Sequence, residues 1–290
     1  MRMFRFNTIK SSLLWVCVFL IVVSCSMKTL YGNLDYLIPA YIDNLVELDQ
    51  LEELADRETL SLLIWHQKQQ LPKYAHWLSD IKNEFNSDKI SGIKSERIQA
   101  YINRSSLFWH DLRSQLSLKL AEVLPLLQEA QVQELFSSLE ENNRDFITKN
   151  LGLDKQEQEE LYRQRLIDNF EDWFGYLTAE QKTVLSTAAS KFTSLSQSRL
   201  KARLDWQQQT KKLLYSEVSD KKQALLKLFN RLSLKHDHLY KNTNDANRRL
   251  LSDLISQVIK TLQPEQVQHL NTKLDDYILL IDSLMKHKWK

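Results

Sequence analysis

Glycine and proline are scarce in this chain of 290 residues: four of each occur, far below the roughly 7% and 5% of average usage. A fold that depends on many tight turns has little to make them from. No period-two run of Val, Ile and Thr marks a strand either. The sequence therefore predicts an all-α protein of long amphipathic helices in a hairpin or bundle arrangement. Two cysteines cannot build a disulfide scaffold, and 39 Lys and Arg against 37 Asp and Glu give no footing to a nucleic-acid partner. Chemical motifs are missing too: there is no HExxH, GxSxG, Gly-rich phosphate loop or CxxC. No catalytic residue, cofactor or metal is expected, and the chain reads as a non-enzyme.

The first residues carry the most specific signal. Arg2, Arg5 and Lys10 precede an apolar run, LLWVCVFLIVV, from Leu13 to Val23. At about 11 residues it falls short of the roughly 20 that a spanning helix needs, and suits the apolar part of an export signal over residues 1–24. Its end, Val22-Val23-Ser24-Cys25, resembles the lipobox of bacterial lipoproteins, with Val22 where Leu is commoner. The resemblance implies cleavage between Ser24 and Cys25, a diacylglyceryl group on the Cys25 sulfur and acylation of the new amine. Cys17 would leave with the signal, so Cys25 would be the only mature thiol. Three acyl chains hold a protein to a bilayer permanently, where one holds it marginally. Ser26 stands where Asp commonly retains lipoproteins at the inner membrane, so the resemblance implies the periplasmic face of the outer membrane. Residues 25–33 are expected to form a short tether, with Ser26 to Asn33 reaching at most roughly 26–29 Å when extended.

Beyond the tether, residues 34–290 read as one helical domain. Its expected breaks are residues 86–92, residues 150–154 (with a capping box of Asp154 and Glu157), residues 215–220, and the polar stretch 236–245. Neither Gly nor Pro occurs between Gly175 and Pro264, so long helices are expected there. Apolar stripes at helical spacing run through Leu112, Leu116, Leu120, Val123, Leu124 and Leu127, then through Leu250, Leu254, Val258 and Ile259. A further stripe follows Pro264, through Leu270, Leu274, Ile281 and Leu284. Aligning Gln131 with Gln266 superposes two of these regions and pairs Arg113 with Arg248 and Ser117 with Ser252. This is the pattern of two related halves, 34–150 and 154–290, although amphipathic periodicity alone also aligns helices.

The same alignment brings out a short unit. Leu177-Thr178-Ala179-Glu180-Gln181 (LTAEQ) is complete; Leu262 to Gln266 (LQPEQ) and Leu127 to Gln131 (LQEAQ) keep Leu and Gln but lack Thr. These resemble the LTxxQ motif of the Spy and CpxP periplasmic proteins, small helical proteins linked to envelope stress, of which Spy is a chaperone that works without ATP. Helix capping offers a second reading: Thr178 suits an N-cap, Gln181 stands three residues on, and Pro264 suits a first helical position. Where a further unit would be expected, at Leu48-Asp49-Gln50-Leu51, Asp49 and Glu52 suit a helix start instead.

The segments YGNLDYLIPAYIDNLVEL (Tyr31 to Leu48) and LLIWHQKQQLPKYAHWL (Leu62 to Leu78) resemble an uncharacterised family of all-helical bacterial outer-membrane lipoproteins. That resemblance implies an address and a fold, and no activity. Trp65-His66, Trp109-His110 and His76-Trp77 read as buried or groove-lining Trp beside solvated His. His236-Asp237-His238 reads as a polar turn. In α-helical spacing, Arg199, Lys201, Arg203, Lys211 and Lys212 surround Trp206 and make a candidate surface for unfolded or acidic polypeptides, or simply a solvated helix. The basic terminus, Lys286 to Lys290, could meet anionic headgroups or complement the carbonyl end of the last helix. The functional expectation is a lipid-anchored periplasmic chaperone or adaptor for envelope polypeptides. The alternative is a structural or assembly accessory that holds one folded partner or a cell-wall component.

Overall fold

The computed structural model describes residues 24–85, 90–234 and 238–289, and every regular element among them is helical. Residues 1–23, which hold all but the last residue of the expected export signal over 1–24, lie outside the described residues, as does Lys290. In chain order the helices are α1 (Ser24–Tyr31), α2 (Leu34–Asp43), α3 (Glu52–Trp65), α4 (Leu71–Phe85), α5 (Ser95–Val123) and α6 (Glu129–Asn150). They continue with α7 (Lys155–Phe174), α8 (Ala179–Ala189), α9 (Ser196–Leu214), α10 (Lys221–Leu234), α11 (His238–Ile259) and α12 (Pro264–Met285).

The long central helix organises the fold. α5 has 29 residues, about 43 Å at 1.5 Å per residue. It runs uninterrupted because neither Gly nor Pro lies between Gly92 and Pro125, and it stops just before Pro125. Its first turns contribute Ile98 and Tyr101 to the larger core, with Phe170 and Phe174 of α7, Leu185 of α8, Val258 and Ile259 of α11, and Leu274 of α12. Its last turns contribute Ala121 to a second core, with Phe136 of α6, Leu214 of α9, and Leu225 and Phe229 of α10. Packing crosses the two halves of the sequence: α4 lies on α12, α5 on α11 and α10, and α6 on α9. Ser252 and Ser256 of α11 are buried where it meets α5 and the turn before it, bonding to Gln99 and to the Ile93 carbonyl at 3.1 Å each.

Several local expectations change. The segment after Cys25 is no extended tether: residues 24–31 form α1, which packs on α12 through Tyr31, Leu280 and Leu284. Of the polar stretch 236–245, His236 and Asp237 lie outside the described residues, while 238–245 are helical in α11. The longest helix is α5, outside the Gly- and Pro-free interval. Within that interval the chain turns at residues 190–195, where Asn247 holds Thr193: its side-chain amide donates to the Thr193 carbonyl at 2.8 Å and its oxygen accepts from the Thr193 N–H at 3.1 Å. Pro72 fails to break the chain. Residues 66–70 widen into a π-helical turn that continues α3 into α4, relieving the clash and missing N–H that Pro72 brings. Leu116, one of the stripe positions, faces solvent.

The loops at 150–154 and 215–220 form as expected, and Asp154 caps α7 reciprocally with Glu157. Gly175 ends α7 at φ +83°, and a Cβ there would stand 3.0 Å from the His269 ring. Both constraints oppose any side chain, so Gly175→Ala is expected to lower unfolding stability by about 1–2 kcal/mol in urea denaturation.

Candidate functional site

The three Leu-Gln units all start helices, and in each the Gln side chain turns inward. The Gln131, Gln181 and Gln266 side-chain oxygens each accept the backbone N–H three residues earlier, from Gln128, Thr178 and Gln263, at 2.9 Å. Thr178 completes its box by accepting from the Gln181 N–H at 3.2 Å. The amide nitrogens then reach across the fold. Gln266 donates to the Tyr176 carbonyl at 2.6 Å, Gln181 to the Thr261 carbonyl at 3.2 Å, and Gln131 to the Glu47 carbonyl at 2.8 Å.

Each acceptor is the residue immediately before the Leu of another unit: Leu177, Leu262 and Leu48 respectively. The units therefore meet in pairs. In the first pair Gln181 and Gln266 also bond to each other, at 3.1 and 2.9 Å, and both are almost wholly buried. In the second, Glu52 occupies the position of the fourth Gln, and an ionised carboxylate has no proton to donate. Glu52 faces solvent, and Asp49 adopts φ +49° in a 3-10 turn rather than the extended conformation of an N-cap. The expected simple helix start at Asp49 is thus replaced by a one-way version of the paired turn. Leu177 is buried, and Leu127 and Leu262 are partly buried against the cores.

A second polar cluster lies where α1 meets the π-helical turn. The Tyr31 hydroxyl and His66 Nδ1 are 3.1 Å apart, and Tyr74 and Trp289 complete a ring of aromatic contacts. Burial lowers the His66 pKa from 6.5 to about 4 and raises that of Tyr74 to about 12. Gln70 is fully buried, with its nitrogen on Asp111 at 3.2 Å and its oxygen unpartnered; Lys73 bonds the same Asp111 oxygen at 2.8 Å. His66 is thus a half-buried, neutral imidazole, against the expectation of a solvated one. Trp109 is 39% exposed beside an exposed His110, so the buried-Trp expectation holds best at His76-Trp77, where Trp77 packs on the larger core.

The basic helix is dispersed by its packing. Trp206 is half-buried and stacks on Phe229 at 5.8 Å. Arg203 lies over Phe146, and its desolvation lowers its pKa; Lys211 lies over Phe136. Arg199, Lys201 and Lys212 face solvent. Ser24 and Cys25 open α1. Among the described residues no group of three or more His, Cys, Asp or Glu could hold a metal ion, and no helix is long and apolar enough to cross a membrane.

Sequence reasoning missed one surface feature. Midway along α5, between the two cores, Leu107, Trp109, Leu116 and Leu118 are exposed by 63%, 39%, 37% and 44%. Leu107 and Leu118 share one side of the helix, and Trp109 and Leu116 the other, by helical spacing. The signal was present as apolar residues too numerous for a single stripe.

The sequence profile of DUF6279, described as a family of unknown function, matches residues 40–241. The chain belongs to this family. The matched span runs from within α2 to within α11, and so contains both Gln131 and Gln181 but not Gln266. No curated protein and no solved structure matches the chain. Family membership therefore brings no activity with it.

Two outcomes test this geometry. Gln266→Ala removes the acceptor for the Gln263 N–H and the donor to Tyr176, and should cost about 2–4 kcal/mol in urea denaturation. Adding Gln181→Ala should cost much less than it does alone, because the two side chains already share their bonds. For His66, the unfolded chain takes up a proton near pH 6.5 and the folded protein only near pH 4. This contribution is therefore complete above pH 6.5 and lost as the pH falls through that window, by at most about 3 kcal/mol. Replacing His66 by Gln should flatten the stability profile between pH 7 and pH 4.5.

Proposed function

We propose that this protein is a lipid-anchored, non-enzymatic binding protein of the periplasm, a Spy-like chaperone or adaptor that holds envelope polypeptides on the outer membrane. The observation that carries the binding role is the exposed middle of α5. Leu107 with Leu118, and Trp109 with Leu116, leave apolar surface exposed on two sides of that helix, which suits association with apolar segments of other chains. The helix is fixed at both ends by its cores, so the surface is preformed and little ordering opposes binding. Arg199, Lys201 and Lys212 supply positive charge elsewhere for acidic clients. The address rests on the lipobox resemblance at Val22 to Cys25, and the chaperone class on the Leu-Gln units.

The buried glutamines refine that class. Their side chains serve caps and cross-contacts, so client contact would fall to α5 and not to the motif itself. A fixed apolar surface also suits a single folded partner, the accessory reading. Crosslinking in cells separates the two, since a broad client set supports the chaperone and one dominant adduct supports the accessory.

Two measurements test the proposal. Radiolabelled palmitate should enter the wild-type protein and not Cys25→Ser; an unlabelled, uncleaved wild type overturns the anchor. The soluble Cys25→Ser form should suppress aggregation of an unfolded client at stoichiometric amounts, and replacing Leu107, Trp109, Leu116 and Leu118 by Ser should weaken that protection at least several-fold. Equal protection by the variant would remove α5 from the role.

A further inference from the structure

The two ends of the described chain meet at one place. The last residues fold back against α1 and the π-helical turn, where Gln67 fastens them. Its amide nitrogen donates to the Leu284 and His287 carbonyls at 2.8 and 2.7 Å, and its oxygen accepts from the Trp289 indole at 3.0 Å. Trp289 packs on Tyr31, and Gly32 admits the His287 ring so closely that a Cβ would stand 3.1 Å from it. The terminal basic residues are therefore built into the domain.

This closure forms a groove of about 520 Å³ whose lining includes Lys28, Leu279, Asp282, Lys286, His287 and Lys288. Three lysines face one carboxylate. Among the described residues none of the three ammonium groups has an ion-pair or hydrogen-bond partner, and Leu279 beside them is 65% exposed. Lys28 stands less than one turn of α1, about 4.5 Å along its axis, from position 25. Net positive charge with an exposed Leu, at the point where an anchored chain would leave the bilayer, is complementary to an anionic lipid surface.

We propose that this end of the domain is a membrane-docking surface, with Lys28, Lys286 and Lys288 contacting the anionic phospholipid headgroups of the bilayer that receives the anchor. The proposal rests on the lipid-anchor reading of Cys25. It fixes more than proximity: the domain stands on the bilayer by the junction of α1 and α12, and its orientation is set by headgroup contacts.

Vesicle flotation tests it, using the mature chain from residue 25 with Cys25→Ser, so that no acyl chain contributes. The protein should float with vesicles of phosphatidylglycerol and phosphatidylethanolamine at low salt, and not with pure phosphatidylcholine or at high salt. Changing Lys28, Lys286 and Lys288 to Gln should weaken binding about a hundredfold. The paired change of Lys155 and Lys227 to Gln, exposed on α7 and α10, should leave it unaltered. Circular dichroism and the urea midpoint of each variant establish that it is folded. A folded wild-type chain that fails to float with anionic vesicles overturns the proposal, as does equal weakening by the Lys155 and Lys227 variant. Competition by millimolar inorganic phosphate without any vesicle binding would also overturn it, marking a soluble-anion site. Palmitate labelling reads the anchor separately, so either result can fail alone.

Discussion

The exchange of hydrogen bonds between Gln181 and Gln266 is the constraint on which the larger core depends. A helix start leaves backbone N–H groups without partners, and two such starts, those of α8 and α12, are buried against each other here. A buried start would normally strand those donors and the carbonyls of the turns before them. The amide side chain solves both problems because it accepts at one atom and donates at another. Gln181 and Gln266 each close their own helix and the turn leading into the other. A carboxylate in the same place would cap its helix and leave the opposing carbonyl bare.

That requirement explains the difference between the two pairs of turns. The pair joining α8 and α12 has two amides, is symmetric, and lies deep in the larger core. The pair joining the starts of α3 and α6 has Gln131 on one side and Glu52 on the other. Only Gln131 reaches across, to Glu47, while Glu52 turns to water and the chain enters α3 through a strained 3-10 turn. The smaller cluster of Val46, Leu48 and Ala55 surrounds this weaker junction. One repeated local device thus gives two grades of tertiary contact, separated by whether a donor is available.

α5 carries the consequence to function. One uninterrupted helix serves two cores, and between them Leu107, Trp109, Leu116 and Leu118 are only partly covered. The same rod fixes the separation of the cores and displays the surface between them. Gln67 ties the terminal residues to the π-helical turn and so determines which face lies beside position 25.

Much of this was legible from residue order alone. Scarce Gly and Pro, with apolar stripes at helical spacing, determined the all-α class. The Asp154 and Thr178 caps were determined by residues within about four positions, which is the range over which capping acts. Tertiary structure decided what depends on partners distant in sequence. Gln266 finds its acceptor at Tyr176, 90 positions away, and Asn247 holds a turn 54 positions away that has neither Gly nor Pro. His66, Trp206 and Leu116 share this dependence: a side chain's own spacing says which side of a helix it occupies, but burial is set by whichever other helix covers that side.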